Sequence, residues 1–441
     1  MNSFKKSELL TIGFMMFSIF FGAGNLIFPP ALGQAAGTSA PLAMLGFLTT
    51  GVGLPLLGIT AIALQGGRYL ELINSRMYPW FATALLVVLY LCIGPVFAVP
   101  RTGAVSFEIG IRPFLQEDSL KIGQAVYTAL FFGASYYLSL NPNKLIDRVG
   151  KMLTPVLLVV LAVLFAKAFL SPLGTILPPT GNYIDAPFTQ GFQDGYQTMD
   201  LLASVAIGTL VVNAVRMRGV TDNRAIGRIC LIAGLITVSL MACVYGSLAY
   251  LGATSTMVLG HSPNGGQLLA SAVSIFFGTA GNGLLAAIII LACLTTSCGM
   301  LSGGAWFFNQ LFKKRISYER LLLFFTFFSF AVSNVGLTQI IALAVPFLVT
   351  IYPLVIVFVI LSLFDRMIGW RKGVYRWALN LTLIFALIDG LNAAGIHFHL
   401  LNQLLTAYLP FYSLTMGWVV PALCGTAIGL VLSFFQRRPA E

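Results

Sequence analysis

Gly22-Ala-Gly-Asn-Leu-Ile-Phe-Pro-Pro30 interrupts the first long apolar segment of the chain. Two glycines weaken a helix, and an asparagine carries polar groups that hydrocarbon cannot satisfy. A helix that only crossed lipid would gain nothing from these residues, so protein or a solute is expected to meet this backbone. Broken helices at the middle of the bilayer are typical of secondary transporters, in which half-helix ends and unwound carbonyls bind a solute and its coupling ion.

The composition is that of an integral membrane protein. Of the 441 residues, 58% are hydrophobic and 9% are charged, and the mean hydropathy is +0.90, which excludes an ordinary soluble domain. Apolar runs long enough to cross about 30 Å of hydrocarbon recur from end to end. The sequence predicts one all-α transporter domain over 1–441 with twelve spans, at 8–31, 40–65, 80–102, 121–139, 150–170, 188–212, 225–251, 282–308, 320–336, 338–363, 375–394 and 409–435.

The basic residues predict the orientation of these spans. With the N-terminus inside, all but four of the 25 Lys and Arg fall at inner ends or inner loops, as the positive-inside rule requires. The exceptions are Arg101, Arg112, Lys121 and Lys167. A miscount of one span would destroy this alternation. We therefore predict a multi-pass protein of the bacterial cytoplasmic (inner) membrane with both termini cytoplasmic, and its net charge of +11 requires no nucleic acid partner.

A second interruption lies in span six, at Gly191-Phe-Gln-Asp-Gly-Tyr-Gln-Thr-Met-Asp-Leu-Leu-Ala203. An unpaired carboxylate at the centre of a membrane helix costs about 2.5–3.5 kcal/mol, so Asp200 should have a partner or face a wet cavity. It is either a hydrogen-bond anchor for another helix or part of a binding site. Spans one and six are five helices apart, as expected if 1–170 and 188–363 are two inverted halves and 375–435 adds helices 11 and 12.

Span eight carries three consecutive hydroxyl residues in Leu294-Thr-Thr-Ser297. Such hydroxyls can donate to carbonyls one turn earlier in their own helix. Alternatively, Thr295 and Thr296 provide oxygen ligands to a small cation, together with carbonyls of the unwound part of span one. The sequence leaves both interpretations open.

Other classes of membrane protein fit the sequence less well. A channel would show polar pore rings or a filter, and an intramembrane enzyme would need a nucleophile with a base, or a metal cluster. Neither pattern is evident, so we predict a transporter without enzymatic activity. The outer segment 252–281 is interpreted either as a helical lid or as a plain connecting helix.

Together with Ile93-Gly-Pro-Val-Phe-Ala-Val-Pro-Arg-Thr102, these motifs resemble, in order and spacing, the bacterial branched-chain amino acid:cation symporter family of the LIVCS type. The resemblance runs over essentially the whole chain. It implies the LeuT fold of the amino acid-polyamine-cation superfamily, with a 5+5 inverted repeat, broken helices 1 and 6, and two extra C-terminal helices. It also implies symport of leucine, isoleucine and valine with Na+, in a bilayer protein that is a monomer or a weak oligomer. A proton-coupled transporter of other neutral amino acids is the alternative, and an ion channel is a more distant one.

The resemblance also implies roles for individual residues. The amides that open the outer half of span one should receive the substrate carboxylate. The substrate-binding residues expected on spans one and six are Gly22, Ala23, Gly24, Asn25, Tyr196, Thr198 and Asp200. The sodium ligands expected are backbone carbonyls of Ser18 and Phe21, opposite Ala292, Thr295 and Thr296.

Three further expectations concern the surroundings of the site. Phe28 and Pro29 stand just beyond the break, so an outer gate built on a span-one arginine is not carried over. An apolar wall from spans three, six and eight, including Tyr90 and Val96, should hold the aliphatic side chain. A methyl group at Gly24 should displace the carboxylate, whereas one at Gly46, in the lipid-spanning part of span two, should meet no such constraint.

Overall fold

A computed structural model describes residues 6–67, 69–140, 142–369 and 371–435. These residues form helices, turns and loops without a β-strand. The α-helices are α1 Lys6–Phe20, α2 Ala23–Ala36, α3 Ala40–Leu48, α4 Leu54–Leu64, α5 Tyr69–Arg76, α6 Pro79–Leu91, α7 Ala98–Gly110, α8 Leu120–Ser139, α9 Pro142–Leu170, α10 Pro187–Asp194, α11 Asp200–Arg216, α12 Asn223–Leu259, α13 Gly265–Leu311, α14 Tyr318–Ser333, α15 Leu337–Leu363, α16 Asp365–Ile368, α17 Lys372–Ala393, α18 His399–Tyr408 and α19 Val419–Phe435.

Each of the twelve predicted spans coincides with a helix or with a pair of helices. Within the described part of the chain, six helical stretches are long and apolar enough to cross a membrane by length and composition, and two shorter apolar helices accompany them. The last span begins later than predicted: residues 409–418 form turns with Phe411 and Thr415 at positive φ, and α19 starts at Val419. Both termini, predicted to be cytoplasmic, lie outside the described residues.

Span one is broken as the sequence predicts. α1 ends at Phe20 and α2 begins at Ala23. The outer half, α2, packs backbone to backbone on α12, because a Cβ built on Gly33 would stand 1.9 Å from the carbonyl oxygen of Ala249 and one on Gly252 2.0 Å from that of Pro30. Small residues at such contacts are typical of helix packing in membranes. This close packing holds α2 against α12.

Span two packs on span six and not on lipid at Gly46. A Cβ built on Gly46 would stand 2.0 Å from the carbonyl oxygen of Phe188, and one on Gly191 1.9 Å from that of Ala43. The expectation that Gly46 is unconstrained is therefore wrong. Apolar composition alone could not distinguish a lipid-facing glycine from one at a helix crossing.

Span three is longer than predicted. A π-helical turn over Cys92–Val96, with Gly94 in a non-helical conformation, joins α6 to α7. α7 continues to Gly110, and Arg101, placed at the outer end of the span by the sequence, is buried within it with 4% of its surface exposed. The hydropathy pattern ended the span early because the residues after Pro100 are polar but covered by protein.

The outer segment forms two helix ends. Residues 252–259 complete α12, and the first part of α13 runs to a kink at Gly278, which has φ 63°. This first part packs directly on α2, since a Cβ on Gly265 would stand 1.8 Å from the carbonyl oxygen of Ile27. It therefore covers the outer half of span one, an arrangement that suits either a lid or a connecting helix.

Candidate functional site

The second break lies where the sequence predicts it, between α10 and α11. A 3-10 turn over Gly195–Thr198 follows α10, and Met199 adopts the left-handed conformation with φ 61° and ψ 14° before α11 begins at Asp200. Positive φ is uncommon for a residue with a side chain, and such strain concentrates at functional sites. The Thr198 hydroxyl oxygen accepts from the Asp200 amide at 3.3 Å. This turn places the Asp200 carboxylate at the positive end of the α11 dipole.

A buried hydrogen bond joins the two breaks. Asn25 Nδ2 donates to Asp200 Oδ2 at 2.7 Å and also to the hydroxyl of Tyr245 on α12. Asn25 Oδ1 accepts from the amide of Gly22 at 3.0 Å. Asn25 and Asp200 are exposed by only 2% and 3%. The prediction that Asp200 has a partner is confirmed, and that partner belongs to the first break.

A cavity of about 30 Å³ lies between the two breaks. Its lining residues come from spans one, three, six and eight: Phe20, Gly22, Ala23, Gly24, Asn25, Ile93, Ala98, Arg101, Thr102, Thr198, Met199, Asp200, Ala203, Thr296 and Met300. A single water needs ~10–15 Å³ of such space, so the cavity has room for one or two waters. This conformation is therefore closed around the site, and an amino acid would have to widen it.

Arg101 is the main residue of this site that the sequence did not assign. Its Nη1 donates to the carbonyl oxygen of Gln197, in the span-six turn, at 2.6 Å. Its guanidinium carbon lies 5.1 Å from the centroid of the Phe28 ring, within cation–π range. A guanidinium thus lies against the first turns of α2 although span one has no arginine there. The signal was available, because an arginine buried at membrane depth is by default a functional residue.

The structure brings most of the predicted substrate residues together. Gly22, Ala23, Gly24, Asn25, Thr198 and Asp200 all line the cavity. Tyr196 lies elsewhere: its ring stacks on that of Tyr352 at 4.4 Å and meets Phe192 edge to face at 5.7 Å. Tyr196 therefore contributes to packing behind the span-six turn in this conformation.

Of the predicted sodium ligands, the structure brings Thr296 to the break. Its Oγ1 lies 3.7 Å from the position of a Cβ on Gly22 and donates to the carbonyl oxygen of Ala292 at 3.0 Å. Thr295 also donates to Ala292, at 2.9 Å. A hydroxyl that donates to its own helix keeps lone pairs for a cation, so these bonds are compatible with both interpretations of the hydroxyl run.

Two further predicted ligands lie at or just after the end of α1, and Ala292 lies on α13. Phe21 stacks on Phe17 at 4.9 Å, and its amide donates to the Phe17 carbonyl at 2.8 Å. Ser18 lies in the last turn of α1. Ser18, Phe21, Ala292 and Thr295 remain predicted ligands.

The apolar wall differs from the expected one. Tyr90 stacks on Phe307 at 4.1 Å, and neither Tyr90 nor Val96 lines the cavity. The apolar lining from spans three, six and eight comes instead from Ile93, Ala98, Met199, Ala203 and Met300. The π-helical turn at Cys92–Val96 shifts the register of span three, which the sequence pattern did not reveal.

Comparison of the sequence with known proteins identifies close relatives. The chain is 46% identical over 434 residues to the branched-chain amino acid permease BraB of Bacillus subtilis, covering 98% of this chain and 97% of the relative. It is 42% identical over 444 residues to the branched-chain amino acid transport system 2 carrier protein of Pseudomonas aeruginosa, covering 100% and 99% of the two chains. These relatives are named as permeases and carriers, not as enzymes.

Two solved structures have a similar fold. The nucleobase-cation-symport-1 family transporter Mhp1 matches with a TM-score of 0.61 at 12% identity over 97% of this chain and 92% of its own. MhsT, solved in complex with L-phenylalanine, matches with a TM-score of 0.59 at 16% identity over 96% and 98%. At these identities the likeness concerns the fold, and it confirms the predicted LeuT-type architecture.

The match to a protein family settles the resemblance seen in the motifs. The model of the branched-chain amino acid transport protein family covers residues 5–436. With two broken helices meeting at a buried cavity, this chain belongs to the branched-chain amino acid transport protein family.

Proposed function

We propose that this protein imports leucine, isoleucine and valine across the bacterial cytoplasmic membrane by Na+ symport with alternating access. The observation that carries the proposal is the Asn25–Asp200 hydrogen bond, which ties the break of span one to the break of span six beside a buried cavity. The names of the relatives supply the substrate class. The orientation with cytoplasmic termini and the division into halves 1–170 and 188–363 belong to the same proposal.

The site suits a zwitterion with a branched aliphatic tail. The amides of Ala23 and Gly24 open α2, and first-turn amides have no intrahelical partner and attract anions. Asp200 suits the ammonium group, and the apolar lining suits the side chain. One methylene changes binding by only about 1–3 kcal/mol, so the three amino acids should share one site.

Sodium coupling is proposed at the inner side of the same break. The oxygen donors there are the carbonyls of Ser18, Phe21 and Ala292 and the hydroxyls of Thr295 and Thr296. Oxygen ligands of this kind suit a small hard cation. Thr296 and Gly22 line the same cavity, and the Thr296 hydroxyl oxygen lies 3.7 Å from the position of a Cβ on Gly22, which supports this proposal. Sodium bound here would order the unwound backbone that the substrate also needs.

Radiolabelled leucine uptake into proteoliposomes tests this proposal. A Na+ gradient and a proton gradient are imposed separately, with equal ion concentrations on both sides as the control. We expect accumulation with the Na+ gradient and competition by isoleucine and valine. Accumulation with the proton gradient alone would favour the second candidate, a proton-coupled transporter of neutral amino acids, which the buried carboxylate of Asp200 could serve. Absence of leucine uptake under both gradients would contradict transport of this substrate.

A further inference from the structure

Arg101 lines the cavity, and one nitrogen of its guanidinium group, Nε, has no hydrogen-bond partner among the described residues. Within the described part of the chain, Arg101 donates a hydrogen bond through Nη1 to the carbonyl oxygen of Gln197. Nε is buried without a hydrogen-bond partner. Nη2, on the same edge of the guanidinium as Nε, lies 2.8 Å from the position of a Cβ on Gly24. A buried charged donor without a partner is costly, so this edge calls for an acceptor.

The shape of that edge selects a carboxylate. The planar guanidinium offers two parallel N–H donors, which match the two oxygens of a carboxylate in a bidentate pair. Nη2 lies close to Gly24, so the Arg101 guanidinium and the first-turn amides of α2 lie beside the same part of the cavity. Two independent anion-binding features therefore meet at the span-one break.

The cavity also holds the opposite charge. Arg101 from span three and Asp200 from span six both line it. Among the described residues Arg101 makes no ion pair with Asp200, whose carboxylate accepts from Asn25 and Tyr245 instead. The two charges are thus available to a ligand that carries one of each sign. An α-amino acid has that charge pattern.

We propose that Arg101 binds the substrate carboxylate through Nε and Nη2, while Asp200 receives the ammonium group. This inference rests on the proposed function and assigns recognition of the zwitterion to a residue of span three. Arg101 also connects the two breaks, because Nη1 holds the span-six turn while the guanidinium stacks on Phe28 of α2. Carboxylate binding at Arg101 would therefore affect the positions of both broken helices.

The test compares leucine with leucinamide, which keeps the side chain and the ammonium group but replaces the carboxylate with a neutral amide of the same shape. Binding of both ligands is measured by calorimetry on purified wild type, Arg101→Gln and Arg101→Lys. Arg112→Gln is the matched control, because Arg112 pairs with Glu108 at 3.1 Å outside this cavity. Monodispersity in detergent reports folding of each variant.

In the wild type, leucine should bind about 10–100-fold more tightly than leucinamide, the range for charged hydrogen bonds. Arg101→Gln should lose leucine affinity by a similar factor and leave leucinamide affinity unchanged, so that the preference disappears. Arg101→Lys keeps the positive charge but loses the two parallel N–H donors, so its leucine affinity should lie between those of the wild type and Arg101→Gln. Arg112→Gln should keep the wild-type preference.

Two results would overturn the inference while leaving the proposed function intact. One is equal binding of leucine and leucinamide by the wild type, and the other is an unchanged preference in Arg101→Gln. If the variants do not fold, the wild-type structure with leucine bound decides: carboxylate oxygens within hydrogen-bond distance of Nε and Nη2 support the role, and their absence contradicts it. A wild type that binds no leucine would instead contradict the proposed function itself.

Discussion

At the scale of single residues, the structure explains how a carboxylate is kept at membrane depth. The Asp200 carboxylate lies at the positive end of the α11 dipole. It accepts hydrogen bonds from Asn25 and from the hydroxyl of Tyr245. The sequence predicted either a partner or a wet cavity for Asp200, because an unpaired charge would be too costly. It could not identify the partner, since Asn25 lies 175 positions away in the chain and spacing carries no information about that contact.

Asp200→Asn should fold but transport poorly. The amide has the same shape and can keep a hydrogen bond to Asn25, but it loses the charge that the ammonium group needs. Charged hydrogen bonds contribute about 1.5–3 kcal/mol, so leucine affinity should fall about 10–100-fold. Uptake and binding are measured on protein of wild-type monodispersity. The control is Asp194→Asn. Asp194 is also a carboxylate of span six, and it accepts a hydrogen bond from Gln190 at 3.0 Å. It does not line the cavity. Normal uptake by Asp200→Asn would make Asp200 a structural anchor.

At the scale of the elements, glycines with Asn25 in span one and with Asp200 in span six were enough to predict both breaks. The break in span three was not predicted, because Pro95 and Gly94 in an apolar run indicate a kink but not a π-helical turn. The length of α7 was not predicted for a related reason. Hydropathy identifies segments that are stable in lipid, whereas the polar turns of α7 around Arg101 are covered by protein. Sequence patterns thus predicted where helices break better than which faces they bury.

The hydroxyl run of span eight gives a prediction about the cation. Thr296→Val keeps the shape of the side chain and removes the oxygen, so the Na+ concentration for half-maximal leucine uptake should rise, by about tenfold if one ligand contributes ~1.4 kcal/mol. Thr296→Ser, which keeps the hydroxyl oxygen, should show the same half-maximal Na+ concentration as the wild type. Thr295→Val should have a similar or smaller effect.

Thr326→Val is the control for this series. Thr326 is also a buried threonine that donates to its own helix, to the Leu322 carbonyl at 2.7 Å, but it lies on α14 away from the break. Sodium dependence equal to wild type in both Thr295→Val and Thr296→Val would reduce the hydroxyl run to helix packing.

At the scale of the whole molecule, a buried ion pair connects distant parts of the bundle. Arg76 Nη2 of α5 lies 2.8 Å from Asp365 Oδ2 of α16, and Asp365 also accepts from Tyr375 of α17 at 3.0 Å. Asp365 is 1% exposed. The sequence placed Arg76 on an inner segment but gave no reason to pair it with Asp365. Such long-range contacts depend on the packing of the complete fold.

Asp365→Asn should destabilise the protein, by up to about 3–5 kcal/mol, because it removes the carboxylate that pairs with Arg76 at a buried site. Replacing both partners with apolar residues, as in Arg76→Met with Asp365→Leu, should recover much of that loss. Thermal unfolding in detergent measures the series. Glu108→Gln, which breaks the pair with the more exposed Arg112, should cost less than Asp365→Asn. An unfolding temperature of Asp365→Asn equal to that of the wild type would show that the pair does not stabilise the bundle.

The central claim is that the cavity between the two helix breaks holds the substrate. A substitution at Gly24, which lines this cavity, tests the claim most directly. A methyl group there would stand 2.8 Å from Arg101 Nη2 and 3.2 Å from the Phe28 ring. Gly133 is the matched control, because a Cβ on this helical glycine meets nothing within 4 Å; it replaces Gly46, whose methyl would collide with span six.

Leucine binding to purified wild type, Gly24→Ala and Gly133→Ala, measured by calorimetry on monodisperse protein, is the most direct test. Overpacking costs about 1–3 kcal/mol, so Gly24→Ala should weaken leucine binding by about 10–100-fold or more, and Gly133→Ala should bind as the wild type does. Wild-type leucine affinity in Gly24→Ala would contradict the placement of the substrate at the span-one break.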